Sequence, residues 1–145
     1  MSRILENLWL GSIDYIHDFD FLKENKITHV ITLFDKNVST AEMVILNIKQ
    51  KLIKIYDNDA EPISVHFESC VEFIDSALAD GGAVYVHCFA GISRSPTIVA
   101  AYLIKSRGMN DCDALDFIKT KRPEIEPNYG FRAALAAWAS KHCTL

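Results

Sequence analysis

No apolar run in this sequence is long enough to cross a membrane, which takes roughly 20 residues. The opening stretch, Met1 to Glu6, carries charge and no long apolar core, so it does not read as a signal peptide. Position 2 is serine where N-myristoylation needs glycine, and that anchor is not expected either. The four cysteines, Cys70, Cys88, Cys112 and Cys143, show neither CxxC nor metal-site spacing. No metal is therefore expected, and free thiols suit a reducing compartment, cytoplasm or nucleus. A net charge of −4 argues against a general nucleic-acid binder. No repeat, low-complexity tract or linker interrupts the chain. Its 145 residues suit one domain, 1–145, with one core, a monomer by default.

What is present centres on Val84 to Arg107. Val84-Tyr85-Val86-His87 is β-branched and aromatic and runs into a tight loop opened by Cys88 and closed by Arg94, with five residues between. An apolar helix follows, with Pro96 in its first turn, where a missing N–H costs nothing. A loop wrapped into a ring points its backbone N–H groups inward and makes an anion nest. The helix adds its own unsatisfied N–H groups and the positive end of its dipole. Gly91 lets the backbone turn, and the planar fork of Arg94 can grip two phosphate oxygens, which a lysine cannot. This positive potential converges on the Cys88 sulfur and favours the thiolate, the nucleophilic form. The loop thus reads as a phosphate cradle, Phe89, Ala90, Gly91, Ile92, Ser93 and Arg94, with a nucleophile at its floor. Ser95 is placed to hydrogen-bond the sulfur and ease its departure, and also to cap the helix.

Taken in order, Ile4 to Leu10 reads as a strand, Asp14 to Asn25 as a helix striped by Ile16, Phe19 and Leu22, and Thr28 to Phe34 as a strand. Ser39 or Thr40 is a candidate cap for a short helix through Ile48. Lys51 to Tyr56 reads as a strand ended by the acidic turn Asp57-Asn58-Asp59-Ala60-Glu61-Pro62. A helix from Ser64 carries Phe67, Cys70 or Val71, Ile74, and Ala77 or Leu78 on one face, and Gly81-Gly82 stops it. Pro96 to Ser106 is apolar nearly all round and should be buried on both flanks. Asn110 caps the next helix, which stops before Pro123, and Pro127-Asn128 opens a last one striped by Phe131, Leu135 and Trp138. Trp9 and Trp138 read as core. Alternating strands and helices predict an α/β fold, a mostly parallel sheet of about five strands with helices on both faces. The site should lie at the carboxyl end of the Ala83–His87 strand.

Cleaving a phosphate ester also needs an acid for the leaving oxygen. The turn at 57–61 is the carboxylate cluster that follows a strand upstream of the loop, and Asp57, Asp59 and Glu61 compete for that role. A strand lying beside Ala83–His87 would open this turn at the same sheet edge.

His87-Cys88-(five residues)-Arg94-Ser95 resembles the signature of the cysteine-based protein tyrosine phosphatases. Ala90-Gly91-Ile92-Ser93-Arg94-Ser95-Pro96 resembles their dual-specificity branch. Leu8-Trp9-Leu10-Gly11 and Ile27-Thr28-His29-Val30 resemble the opening of the same domains, so the likeness covers nearly the whole chain. It implies a compact catalytic domain acting on phosphoprotein substrates without a cofactor. Cys88 would form a phosphocysteine and Arg94 would hold the oxygens. The general acid would be the Asp ending the preceding strand, which matches Asp57, 31 residues before Cys88 (88 − 57 = 31). His87 then reads as support for the loop rather than a proton carrier. Asn128, matching the family's Pro-Asn segment, would brace the loop or cap the last helix. Cys70 reads as a core thiol, its alternative being a disulfide partner of oxidised Cys88. Phe89 and Ile92 stand where inositide phosphatases of the superfamily have lysines, which disfavours a highly charged inositide. The loop that deepens phosphotyrosine-only pockets is missing, which implies a shallow site open to phosphoserine and phosphothreonine. The segment Asp35 to Gln50 departs from the family pattern. Rhodanese-like and arsenate-reductase-like domains also set a cysteine in an anion loop but need no Asp57; a phosphoprotein-binding module needs no turnover.

Overall fold

The structure, a computed structural model, describes residues 1–142 of the 145; Cys143 lies outside the described residues. Where one strand is expected at the start, two form: β1 (Ser2–Leu5) and β2 (Leu8–Gly11), paired antiparallel. The polar pair Glu6-Asn7 turns the chain, and the Arg3 guanidinium clasps the Glu6 carbonyl at 2.9 and 2.7 Å. The helix expected from Asp14 to Asn25 also divides, into a 3-10 turn, Ile13–His17, and α1 (Phe19–Glu24). Asp18 between them takes extended dihedrals, and its carboxylate accepts the Phe21 N–H at 2.9 Å, so it ends one element by capping the next.

Strand β3 (His29–Phe34) lies where expected. Helix α2 (Ala41–Ile45) is capped by Thr40 rather than Ser39, and the Thr40 hydroxyl also donates to the Ile16 carbonyl at 2.7 Å. It ends three residues short of Ile48, because the chain turns through Asn47 at a left-handed φ of 56°. Strand β4 (Lys49–Lys54) starts and ends two residues earlier than expected. The helix expected from Ser64 begins as a 3-10 turn, Ile63–His66, and continues as α3 (Phe67–Ala79), burying Phe67, Cys70, Val71, Ile74 and Ala77. After β5 (Val84–His87) comes α4 (Arg94–Arg107), which begins two residues before Pro96 and ends at Gly108, φ 69°. Helix α5 (Asp111–Lys121) is capped by Asn110 at 2.7 Å, and α6 (Tyr129–His142) closes the described chain.

The strand order is β1-β2-β5-β3-β4, antiparallel only at β1-β2. The expected mostly parallel sheet of five strands is what forms. Side-chain alternation divides its two faces. Ile31, Leu33, Val84 and Val86 pack with α3 to α6, whereas Val30 and Tyr85 pack with Ile16, Phe21, Leu22 and Met43 of the opposite layer. Helix α4 is buried at every residue from Arg94 to Ile104, as a helix enclosed by neighbours must be. Trp138 is core, its Nε1 donating to the Ala101 carbonyl at 3.0 Å. Trp9, expected in the core, is half-buried, with Phe21 against it edge-on and the Arg3 guanidinium over its ring at 5.5 Å. Because β2, β5, β3 and β4 run parallel, their carboxyl ends share one edge. Strand β3 separates β4 from β5, so the acidic turn reaches that edge from two strands away.

Candidate active site

The loop after β5 is a ring whose carbonyls all face out. His87 Nδ1–H donates to the Cys88 carbonyl at 3.0 Å, and the Ile13 N–H to that of Phe89 at 3.0 Å. Arg122 holds the next two, Nη2 on Ala90 at 3.1 Å and Nε on Gly91 at 2.9 Å. The Glu126 N–H takes the Ile92 carbonyl at 2.7 Å, and the Thr97 N–H and hydroxyl take that of Ser93 at 3.2 and 2.8 Å. The planar peptide sets each N–H opposite its carbonyl. Outward carbonyls therefore turn the amides of Phe89, Ala90, Gly91, Ile92, Ser93 and Arg94 inward. Among the described residues none of these amides donates to a protein acceptor. That is the anion nest expected from the sequence.

Gly91 is required twice. Its φ is 72°, and a Cβ there would come within 2.6 Å of the Gly11 carbonyl carbon and 2.8 Å of Arg122 Nη2. The ring is thus clamped between the end of β2 and a buried arginine that the sequence reading missed. Arg122 stands beside Pro123, just past α5, and only the fold shows that its guanidinium turns inward, 7% exposed.

Cys88 lies at the floor, 2% exposed, with Sγ 3.1 Å from the Ser95 hydroxyl. Ser95 is not the helix N-cap. It is the second residue of α4, and Ser93 occupies the cap position, so the hydroxyl serves the sulfur alone. Arg94 Nη1 donates to the Ile55 carbonyl at 3.1 Å and its guanidinium lies over the Phe34 ring at 5.6 Å. Its Nε is buried without a partner. A buried unpaired guanidinium donor beside six inward amides is an arrangement built for an anion. Phe89, 60% exposed, stacks on Phe34 at 6.1 Å, so an aromatic pair borders the nest on the Arg94 side.

The acidic turn is tied to the ring through Asn128. Asn128 Nδ2 donates to Asp57 Oδ1 at 2.8 Å, its backbone N–H donates to Ser93 Oγ at 3.0 Å, and its Oδ1 accepts the Phe131 N–H at 2.8 Å. Its main-chain N–H therefore braces the loop, while its side chain holds Asp57 and caps α6. Asp59 accepts the Gly130 N–H at 3.2 Å, and a Cβ on Gly130 would meet the Asp59 carbonyl oxygen at 2.1 Å. The turn thus lies directly on the start of α6, and Gly130 is a second residue the sequence reading missed. Glu61 accepts the Tyr56 N–H at 2.5 Å within its own turn.

His87 is fully buried. Its Nε2 is 2.8 Å from the Thr32 hydroxyl and its ring stacks on Tyr85 at 5.7 Å. Burial pushes its pKa down from 6.5 to about 4; the hydrogen bond to the Cys88 carbonyl opposes this and nearby His17 adds to it. The unfolded chain takes a proton near 6.5 that the folded one refuses until about 4. Stability should therefore be indifferent to this group above pH 6.5 and fall as pH drops from 6.5 to 4. Urea melts across that range should show the slope, and His87→Gln should lessen it, the remainder including His29 and His66, which burial also lowers; an equal slope in both proteins would refute the assignment. Cys70 is fully buried, and burial raises its thiol to about 12, which suits an inert core residue rather than a redox partner.

The sequence matches the dual specificity phosphatase catalytic domain over residues 8–141. It is 39% identical over 135 residues to dual specificity protein phosphatase 1B of Arabidopsis thaliana, covering 93% of this chain and 79% of that protein. Over 142 residues it is 40% identical to dual specificity protein phosphatase 15 of Mus musculus, covering 97% of this chain but 59% of the relative's length. The crystal structure of DUSP15 superposes with a TM-score of 0.90 at 38% identity, over 96% of this chain and 86% of that one. Together with the cysteine-floored anion nest, these likenesses establish that the chain belongs to the dual specificity phosphatase family of cysteine-based protein phosphatases.

Proposed function

We propose that this domain hydrolyses phosphotyrosine, phosphoserine and phosphothreonine in proteins through a phosphocysteine. The observation that carries the reading is the ring of inward amides around Cys88 and Arg94. The Cys88 thiolate attacks phosphorus in line and the ester P–O bond breaks. Six amides and Arg94 hold the non-bridging oxygens as their charge redistributes. Asp57 gives its proton to the leaving oxygen. A water then attacks phosphorus and yields its proton to the Asp57 carboxylate. The S–P bond breaks, the sulfur leaves as a thiolate that accepts the Ser95 O–H, and inorganic phosphate departs. Every proton is returned, and the scheme calls on no metal or redox cofactor. A reducing compartment, cytoplasm or nucleus, keeps Cys88 free for this chemistry, and a monomer suffices for it.

Release of inorganic phosphate from p-nitrophenyl phosphate, then from matched peptides carrying each phosphoresidue, tests the reading. Turnover of all three is expected, and absence of any turnover by folded protein would leave a phosphoprotein-binding module instead. Arg94→Lys keeps the charge and loses the fork, the Ile55 tether and the stack on Phe34. We expect kcat/KM to fall by two or more orders of magnitude, about 3 kcal/mol. A loss below about tenfold would mean that the fork does not bind the transferring group.

A further inference from the structure

The hydrogen bonds behind His87 extend into the segment that departs from the family pattern. Gln50 on β4, Thr32 on β3 and His87 on β5 stand on one face of three neighbouring strands, with Thr32 and His87 in register. Gln50 Nε2 donates to the Thr32 hydroxyl oxygen and to the Val38 carbonyl, each at 2.8 Å. Thr32 meets His87 Nε2 at 2.8 Å, and His87 Nδ1 meets the Cys88 carbonyl at 3.0 Å.

The protons in this chain can be counted. Both ends are carbonyls, which only accept. The Val38 carbonyl requires the nitrogen of the Gln50 amide to face it, and the Cys88 carbonyl requires a hydrogen on His87 Nδ1. Gln50 spends its second hydrogen on Thr32, so the single hydroxyl hydrogen of Thr32 is left for His87 Nε2. Every donor is used, and the imidazole is neutral with its hydrogen on Nδ1. A second proton on His87 would leave the Thr32 hydrogen without an acceptor in a fully buried place.

We infer that Gln50 is a positioning residue for the phosphate loop: as a donor that cannot take the Thr32 hydrogen, it leaves that hydrogen for His87 Nε2, which supports the imidazole with its Nδ1–H on the Cys88 carbonyl and so holds the Phe89 amide inward. The chemical consequence rests on the hydrolase reading above, but the tautomer does not, so the two fail separately.

The test reads ring nitrogens and kinetics together. In the wild type, ¹⁵N NMR near neutral pH should show His87 with Nδ1 protonated and Nε2 bare, whatever the turnover; a proton on Nε2 would overturn the inference by itself. Gln50→Glu keeps the shape, cannot donate, and draws the Thr32 hydrogen to itself. His87 Nε2 should then become protonated, and kcat on p-nitrophenyl phosphate should fall about tenfold with KM changed little, since the nest matters most in the transition state. Gln50→Leu loses both of its hydrogen bonds but cannot take the Thr32 hydrogen, so it should keep the tautomer and lose less kcat than Gln50→Glu does. A merely structural role predicts the reverse order, Leu worse than Glu, and that result would overturn the proposal. Should Gln50→Glu not fold, Thr32→Val removes the same donor from Nε2, and an unchanged kcat there would be equally fatal.

Discussion

Cys88→Ser should abolish turnover while leaving the anion nest able to bind inorganic phosphate. Serine fits the same space at a floor that is 2% exposed, and the ring is held by bonds that do not involve the sulfur. His87, Ile13, Arg122, Glu126 and Thr97 all act on carbonyls and remain in place. What disappears is the sulfur nucleophile, because a serine hydroxyl is far less acidic than a thiol and far less nucleophilic without a base to take its proton. Phosphate release by the variant should lie below about one part in a thousand of wild type. Calorimetric titration with phosphate should give an affinity near that of the wild type. Acid quenching of the wild type during turnover should trap phosphate on Cys88. A variant that keeps several per cent of activity would exclude the covalent route, and a variant that loses phosphate binding would mean that the sulfur, rather than the amides, holds the anion.

Asp57→Asn should cost roughly 10²–10⁴-fold in kcat on phenyl or alkyl phosphates, and much less on aryl phosphates whose leaving group is already a stable anion. Asparagine preserves the shape and still offers an oxygen to Asn128, so the link to Ser93 and the loop survives. The acid must be protonated while Cys88 is ionised, which makes the wild-type rate bell-shaped in pH. The basic limb should flatten in Asp57→Asn. Asp59→Asn and Glu61→Gln should keep the bell, because the structure commits those carboxylates to the Gly130 and Tyr56 amides. Leaving-group dependence in Asp59→Asn with loss of its basic limb would transfer the acid role to Asp59. A basic limb that survives Asp57→Asn, with little loss of rate, would favour an arsenate-reductase-like or rhodanese-like chemistry.

The parts of this site that were legible in the sequence are those made by neighbours in the chain. Cys88 to Pro96 is one strand end, one ring and one helix start, so the nest, the Gly91 turn, the sulfur at its floor and Arg94 follow from residue types at fixed spacing. The alternation of β-rich and helical segments likewise contained the sheet, because each periodic segment must bury its apolar side against the next. Boundaries were less legible wherever one polar residue outweighs periodicity. Glu6-Asn7 cuts a strand in two, Asp18 cuts a helix in two, and Asn47 stops α2 early.

Beyond the His87 and Asn128 supports that the family resemblance implied, tertiary structure decided what holds the loop in its shape. Arg122 and Asn128 reach the ring from 31 to 35 residues away in sequence, and Thr32 reaches His87 across 55. Gly130 matters only because the acidic turn is laid on α6. A backbone carbonyl has no side-chain identity, so no pattern of residue types foretells which distant donor will take it. The sequence specified the groups that line the nest; which distant donors turn the ring's carbonyls outward was settled when the fold brought Ile13, Arg122 and Glu126 around the loop and each of those carbonyls needed a partner.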